Sequence, residues 1–278
     1  MLSERKNTIL QSLIQEYVIS AHPVASSTLA RYYLPRLSAA TVRNELYWLE
    51  NQGYVISPHT SAGRMPTTIG YRTFVNSLLL RAEKGRIYFG SKELERAASL
   101  LTLSSSALPG FTALANATDR LAMIPEVLAL LAEQNKGLMV FWAPQLANAI
   151  IHRGLPILLA QPEFAETSAA LPIMQLLESH GDLMSIFEEI VDGSGLHIKI
   201  GSEHKDTQLY NFSLVAMRFD CAGLAAGSSQ ALASKAGGGA RHYGVVALFG
   251  PTRMDYDWAI SSISSLVNVL EKPVNRQL

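Results

Sequence analysis

The stretch SAATVRNELYWLENQGYVI, Ser38 to Ile56, decides how the front of this 278-residue chain folds. On a wheel of 100° per residue Val42, Leu46 and Leu49 share one narrow stripe, the signature of a helix edge that faces a core. Ser38 offers a capping hydroxyl at the start, and Gly53 a stop at the end. The opposite arc carries Ala40, Thr41, Arg43, Asn44, Tyr47 and Trp48, where an ordinary solvated face would be richer in Glu and Lys. These side chains suit a DNA major groove. Arginine bonds guanine through two hydrogen bonds, asparagine pairs with adenine, and alanine or a threonine methyl touches the thymine methyl.

Toward the N-terminus, Ile9, Leu10, Leu13, Ile14, Tyr17 and Val18 recur at three-to-four spacing and predict a helix from Ser3 to about Ser20. His22 and Pro23 break it. Ser26 or Ser27 is expected to cap a short second helix through Leu29 to Tyr33, and Leu34-Pro35-Arg36 turns the chain into the Ser38 helix. Helix, short helix, turn, helix is the helix-turn-helix order.

Toward the C-terminus, Tyr54-Val55-Ile56 reads as a short strand, and Met65-Pro66 precedes a helix capped by Thr67 that turns Tyr71, Phe74, Val75, Leu78 and Leu79 to the core. PHTSAGR between them, residues 58–64, is then a hairpin tip. Pro58, Ala62 and Gly63 permit a tight loop, and His59, Ser61 and Arg64 project donors from it. That is a wing beside a reading helix, with Arg64 placed for phosphate or minor-groove contact. Arg72 has two readings: a phosphate clamp, or a residue that holds the wing to the body. The expected DNA-facing set is Ser38, Ala40, Thr41, Arg43, Asn44, Tyr47, His59, Ser61, Arg64 and Arg72.

The formal net charge of zero hides an asymmetry: residues 1–86 hold ten Lys+Arg against five Asp+Glu, and the remainder thirteen against eighteen. No acid occurs between Glu16 and Glu45 or between Glu50 and Glu83. A surface that faces phosphate needs cations and few carboxylates to repel the backbone.

Beyond residue 80 the pattern changes. Residues 81–117 read as a helical or flexible linker, with LTLSSSALPGF (101–111) as its loosest part. Residues 137–143, 196–200, 212–219 and 243–249 have the apolar density of strands, and helical patterns at 167–180, 182–191 and 256–271 alternate with them. The expected fold is α+β, with one central sheet over residues 118–278 behind a DNA-binding domain of residues 1–80. The last helix aligns Ile260, Ile263, Val267 and Leu270, a stripe expected to cover the sheet. AGLAAGSSQALASKAGGGA, residues 222–240, reads as a flexible loop.

Several chemistries find no support. There is no G-x-S-x-G, Walker A or H-E-x-x-H motif, and the seven histidines include no metal-ligand pair on one element. The glycines 237–239 lack the Gly and Lys of a phosphate loop. His59 and Ser61 lack a third group for nucleophilic catalysis, and an enzyme is not expected. The single cysteine, Cys221, excludes an internal disulfide and reads as a small semi-buried thiol, which fits a reducing cytoplasm. No signal peptide and no run of about 20 apolar residues is seen, so a soluble cytoplasmic protein is expected.

The run LSAATVRNELYWLENQGYVISPHTSAGRMPTTIGYRTFVNSLL resembles the N-terminal signature of the heat-inducible transcription repressor HrcA family, and GPTRMDY (250–256) and QPEF (161–164) resemble two of its later blocks. The resemblance implies a winged helix, then a GAF-like domain, with no cofactor. It also implies a homodimer on an inverted-repeat operator called CIRCE upstream of chaperonin operons, and a repressor kept active by the GroE chaperonin. The chain departs from the family in three places. Most of the dimerising insertion is absent, the hairpin at 222–240 is extended, and position 27 holds Ser27 where a cation is usual. GPTRMDY also has a plain reading, a Pro251 turn with Thr252 capping the last helix and Asp255 in its first turn. A ligand-responsive regulator that senses a small molecule through the GAF-like domain is the competing expectation.

Overall fold

The computed structural model describes residues 2–59, 63–83, 117–143, 147–193, 195–221 and 243–271. The linker expected at 81–117, Ser61 at the hairpin tip and the loop at 222–240 therefore lie wholly or largely outside the described residues. The chain divides into two compact units. The first is Met1–Tyr88 with two later segments, Ile200–Asn211 and Thr252–Asp257, and the second is the remainder.

In the first unit α1 (Glu4–Ser20) starts at Ser3, whose hydroxyl accepts the Lys6 N–H, and ends at Ala21 in the left-handed region. Ile9, Leu10, Leu13 and Ile14 are fully buried, as their spacing requires. α2 (Ser26–Tyr32) differs from expectation at its start: the cap position is Ala25, with no side-chain hydrogen bond, so neither Ser26 nor Ser27 caps it. The reason lies just upstream. Val24 is tied to Arg64 by two backbone hydrogen bonds of 2.9 Å, and this bridge fixes where the chain enters the helix.

α3 (Ala39–Asn51) is capped by Ser38, whose Oγ accepts the Thr41 N–H at 3.0 Å. Gly53, at φ +77°, carries the chain out of it, and the Tyr54 N–H bonds back to the Leu49 carbonyl. Strands β1 (Val55–Ile56) and β2 (Met65–Pro66) pair antiparallel, Val55 opposite Pro66. At Gly63 a Cβ would lie 2.6 Å from the Pro23 carbonyl carbon and closer still to Val24, so only glycine lets the hairpin approach that backbone. The Thr67 hydroxyl donates to the Gly53 and Tyr54 carbonyls and accepts the Gly70 N–H, which locks the start of α4 (Thr68–Glu83) against the end of α3.

In the second unit α5 (Ala117–Asn135) precedes a sheet of β3 (Leu138–Ala143), β4 (Ala147–Arg153), β5 (Leu196–Ile200), β6 (Phe212–Asp220) and β7 (Tyr243–Pro251). The order is β4-β3-β7-β6-β5, and the β3–β4, β3–β7 and β6–β7 pairings are antiparallel. This is an α+β architecture. β6 and β7 read as continuous apolar runs because both are central, with Phe212, Phe219, Val245 and Phe249 fully buried.

Between β4 and β5 lie α6 (Leu155–Leu159), a 3-10 turn at Pro162–Phe164, α7 (Thr167–Glu178) and α8 (His180–Asp192). The turn places Phe164 flat against Phe212, ring centroids 4.8 Å apart, which gives the QPEF block a packing role. β4 was not foreseen. Its sequence ANAIIHR lies on the edge of the sheet and lacks the apolar density of the central strands.

The last helix, α9 (Tyr256–Glu271), buries Ile260, Ile263, Val267 and Leu270 within the one chain. It starts four residues later than Thr252, so Thr252 does not cap it. The Thr252 N–H instead bonds to the Asn211 carbonyl, and residues 252–253 form a turn. Cys221 is buried, and that burial, with Asp220 beside it, pushes the thiol up to about 12, out of the range of a reactive thiolate. Among the described residues no helix is long and apolar enough to cross a membrane, and no His, Cys, Asp or Glu cluster could hold a metal.

Candidate nucleic-acid interface

α3 divides cleanly. Val42, Leu46 and Leu49 are buried at 0%, 3% and 0% exposure, while Ala40, Arg43, Asn44 and Tyr47 are exposed and Thr41 is half-buried. Arg43, Asn44 and Tyr47 make no hydrogen bond or ion pair among the described residues. Their donors are therefore available without breaking an existing contact, which is what base-edge recognition requires. Ser38 is exposed and bonds the Thr41 hydroxyl as well as its N–H, so its oxygen serves the helix start.

Trp48 stands apart from this face. Lys6 of α1 lies 4.6 Å from its ring centroid, and Lys6 and Arg5 both reach Glu45 on the same side of α3, at 3.2 and 3.7 Å. That side fastens α3 to α1, and Tyr47, 61% exposed, marks the open side.

The hairpin presents a different picture. His59 is exposed, and the Ser57 hydroxyl donates to its carbonyl at 2.6 Å. Arg64 is held: its Nε and Nη2 donate to Glu50 Oε2 at 3.0 and 2.9 Å. The other oxygen of Glu50 accepts the Ser57 N–H at 3.1 Å, so one carboxylate at the end of α3 grips both arms of the hairpin. Arg72 is held as well, by both carboxylate oxygens of Glu203. The acid-free run around residues 58–72 thus has its two cations answered from outside the run.

Sequence reasoning missed Glu50 and Glu203 as partners, and it missed Arg36 as a candidate contact. Arg36 lies in the turn before the Ser38 cap, exposed and without a partner among the described residues. Its position two residues ahead of the helix start was the available signal. Arg31 is also exposed, against the ring of Tyr32.

The chain resembles known proteins over its whole length. It is 25% identical to the heat-inducible transcription repressor HrcA of Brevibacillus brevis, over all of this chain and 99% of that one. A shorter stretch is more similar: 52% identity over 80 residues to the HrcA of Nitrosomonas europaea, 29% of this chain and 24% of that one. Among solved structures, a crystal structure at 2.2 Å resolution of a protein described only as hypothetical superposes with a TM-score of 0.71 at 16% identity, covering 98% of each chain. That likeness concerns the fold alone. The family model of the HrcA protein C-terminal domain matches residues 91–260, more than half of the sequence, and the chain belongs to the HrcA family.

Proposed function

We propose that this protein is a DNA-binding transcriptional repressor of heat-shock operons, chaperonin among them. It reads an inverted-repeat operator of the CIRCE type as a homodimer in the cytoplasm and is kept active by the GroE chaperonin. Its front is a winged helix in which α3 reads bases through Ala40, Thr41, Arg43, Asn44 and Tyr47, while His59 and Ser61 meet the backbone and Arg64, paired with Glu50, sets where the hairpin stands. Two-fold symmetry of the dimer matches the two half-sites of the operator.

The observation that carries this reading is the solvent face of α3, where Arg43 and Asn44 stand exposed with no partner among the described residues. The names of the relatives support the regulatory part. For the sheet unit we propose a GAF-like domain with a reduced dimerising insertion. The alignment to the Brevibacillus relative supports this, since it spans 362 positions against 278 residues here. Arg72 we assign to the fold rather than to phosphate, because Glu203 already engages it.

The test is a footprint on the chaperonin promoter of the source organism, with and without chaperonin. Protection of an inverted repeat, strengthened by chaperonin, is the expected result. Operator affinity equal to that for random DNA would overturn the reading. A dimer that neutralises about eight phosphates should also show a slope near −7 in log affinity against log salt.

A further inference from the structure

Two pieces of the front unit take no part in DNA reading as described: the turn around Glu203 and the TRMDY portion of GPTRMDY. Both lie in segments contributed by later sequence, Ile200–Asn211 and Thr252–Asp257. Their contacts answer a specific electrical need.

α1 has no basic residue in its last turn, so its own side chains leave the negative end of the helix dipole unanswered. Arg253, 8% exposed, donates from Nη1 to the Val18 carbonyl at 3.0 Å, and so brings a cation to that end. α4 has no acidic residue in its first turn and carries Arg72 directly after it, a cation near the positive end of a dipole. Glu203 supplies the missing anion. Its Oε1 accepts from Arg72 Nε at 2.7 Å, and its Oε2 accepts from Arg72 Nη2 and from the Ile200 N–H.

The packing around these charges is close. A Cβ on Gly201 would come within 2.9 Å of the Thr68 hydroxyl, and Tyr256, fully buried, lies with its ring centroid 5.6 Å from that of Tyr71. The end of α1 and the start of α4 thus take their complementary charges from residues 235 and 131 positions further along the chain.

We propose that Arg253 and Glu203 are positioning residues for operator binding, holding the end of α1 and the start of α4 so that α3 and the hairpin keep one geometry. The consequence for regulation follows from chain continuity. Ile200 ends β5, Phe212 opens β6, Pro251 ends β7 and Tyr256 opens α9. Each segment is therefore tethered at both ends to elements of the sheet unit, and melting of that unit withdraws Glu203 and Arg253 together. Heat then reaches the operator contact through loss of two front-unit residues, a route that rests on the proposed repressor function.

The experiment uses the full chain with two readouts: affinity for the inverted-repeat operator, and amide hydrogen exchange at residues 18–21 and 68–72. Glu203→Arg should weaken operator binding about tenfold or more and speed exchange at 68–72, because a charge-assisted pair becomes a repulsion. The swap Arg72→Glu with Glu203→Arg should restore affinity to within about threefold. Arg253→Ala should speed exchange at 18–21 and weaken binding by about tenfold, and Arg253→Lys should recover most of it. If Glu203→Arg does not fold, Glu203→Gln carries the same comparison.

A charge swap no better than Glu203→Arg alone would overturn the proposal, as would wild-type affinity in every variant. If the unaltered protein binds no operator, the repressor reading fails, and the exchange measurement decides this one by itself. Exchange unchanged at both segments then sinks it, and acceleration confined to them supports it.

Discussion

On α3, Arg43 and Asn44 stand in solvent without partners among the described residues, whereas on the hairpin and α4 Arg64 and Arg72 are each gripped by a carboxylate. The two regions are neighbours in one basic stretch of sequence, yet their cations are not equally available. A guanidinium that already makes charge-assisted hydrogen bonds gains little by exchanging a carboxylate for a phosphate, and a partner-free one gains the whole interaction. The difference supports the proposal that the α3 face reads bases. It makes residues 58–72 chiefly the device that sets where the hairpin stands beside that face.

The largest expected effect breaks the device itself. Gly63→Ala places a Cβ against the Pro23 and Val24 backbone, where no flexible side chain can yield. It should cost about 3 kcal/mol of stability, seen as a lowered urea midpoint, because the hairpin must leave its bridge to Val24. A midpoint unchanged within error would show that this bridge holds nothing.

Next in size, Arg43→Ala should weaken operator binding by about 1–3 kcal/mol and relax preference at one base position. Folding stability should stay within about 0.5 kcal/mol of the unaltered protein. An equal loss on random DNA would move Arg43 from base reading to phosphate contact and blur the contrast between the regions.

How far this contrast could be read beforehand depends on the range of the interactions. The stripe of Val42, Leu46 and Leu49, the Ser38 cap and the Gly53 stop are local, and periodicity and capping chemistry placed them correctly. The exposure of Ala40, Arg43, Asn44 and Tyr47 followed from the same wheel. The central strands β6 and β7 were legible because both faces are buried and the runs are continuously apolar.

What escaped was non-local. Glu50 meets Arg64 across the hairpin, and Glu203 meets Arg72 from 131 residues away, so an acid-free run of sequence did not mean an unanswered patch of charge. The start of α2 escaped because a backbone bridge, rather than a serine hydroxyl, sets it. Thr252 escaped for a similar reason: its N–H is engaged by Asn211, and α9 begins only at Tyr256.

A smaller effect sharpens the comparison within the hairpin. Arg64→Ala leaves Glu50 with the Ser57 N–H alone and should cost about 1 kcal/mol of stability, since the lost pair is partly exposed. Glu50→Ala should cost more, because it releases Ser57 and Arg64 together. The two losses should not add in the double variant, because each removes the same pair. Strict additivity, measured by urea unfolding, would mean that the pair contributes nothing as a pair.

The smallest effect asks whether pairing survives on DNA. Arg36 is partner-free among the described residues, and if it meets a phosphate then Arg36→Ala should reduce the magnitude of the salt slope by about 0.9 per subunit. Arg64 and Glu50 together carry no net charge, so Arg64→Ala should change the slope by less than half as much, although it removes the same side chain. The comparison is sensitive because counterion release counts phosphates neutralised, not arginines present. A full unit lost with Arg64→Ala would mean that Arg64 leaves Glu50 when DNA arrives. Arg64 would then be a DNA contact as well, and Glu50 would hold it only in the free protein.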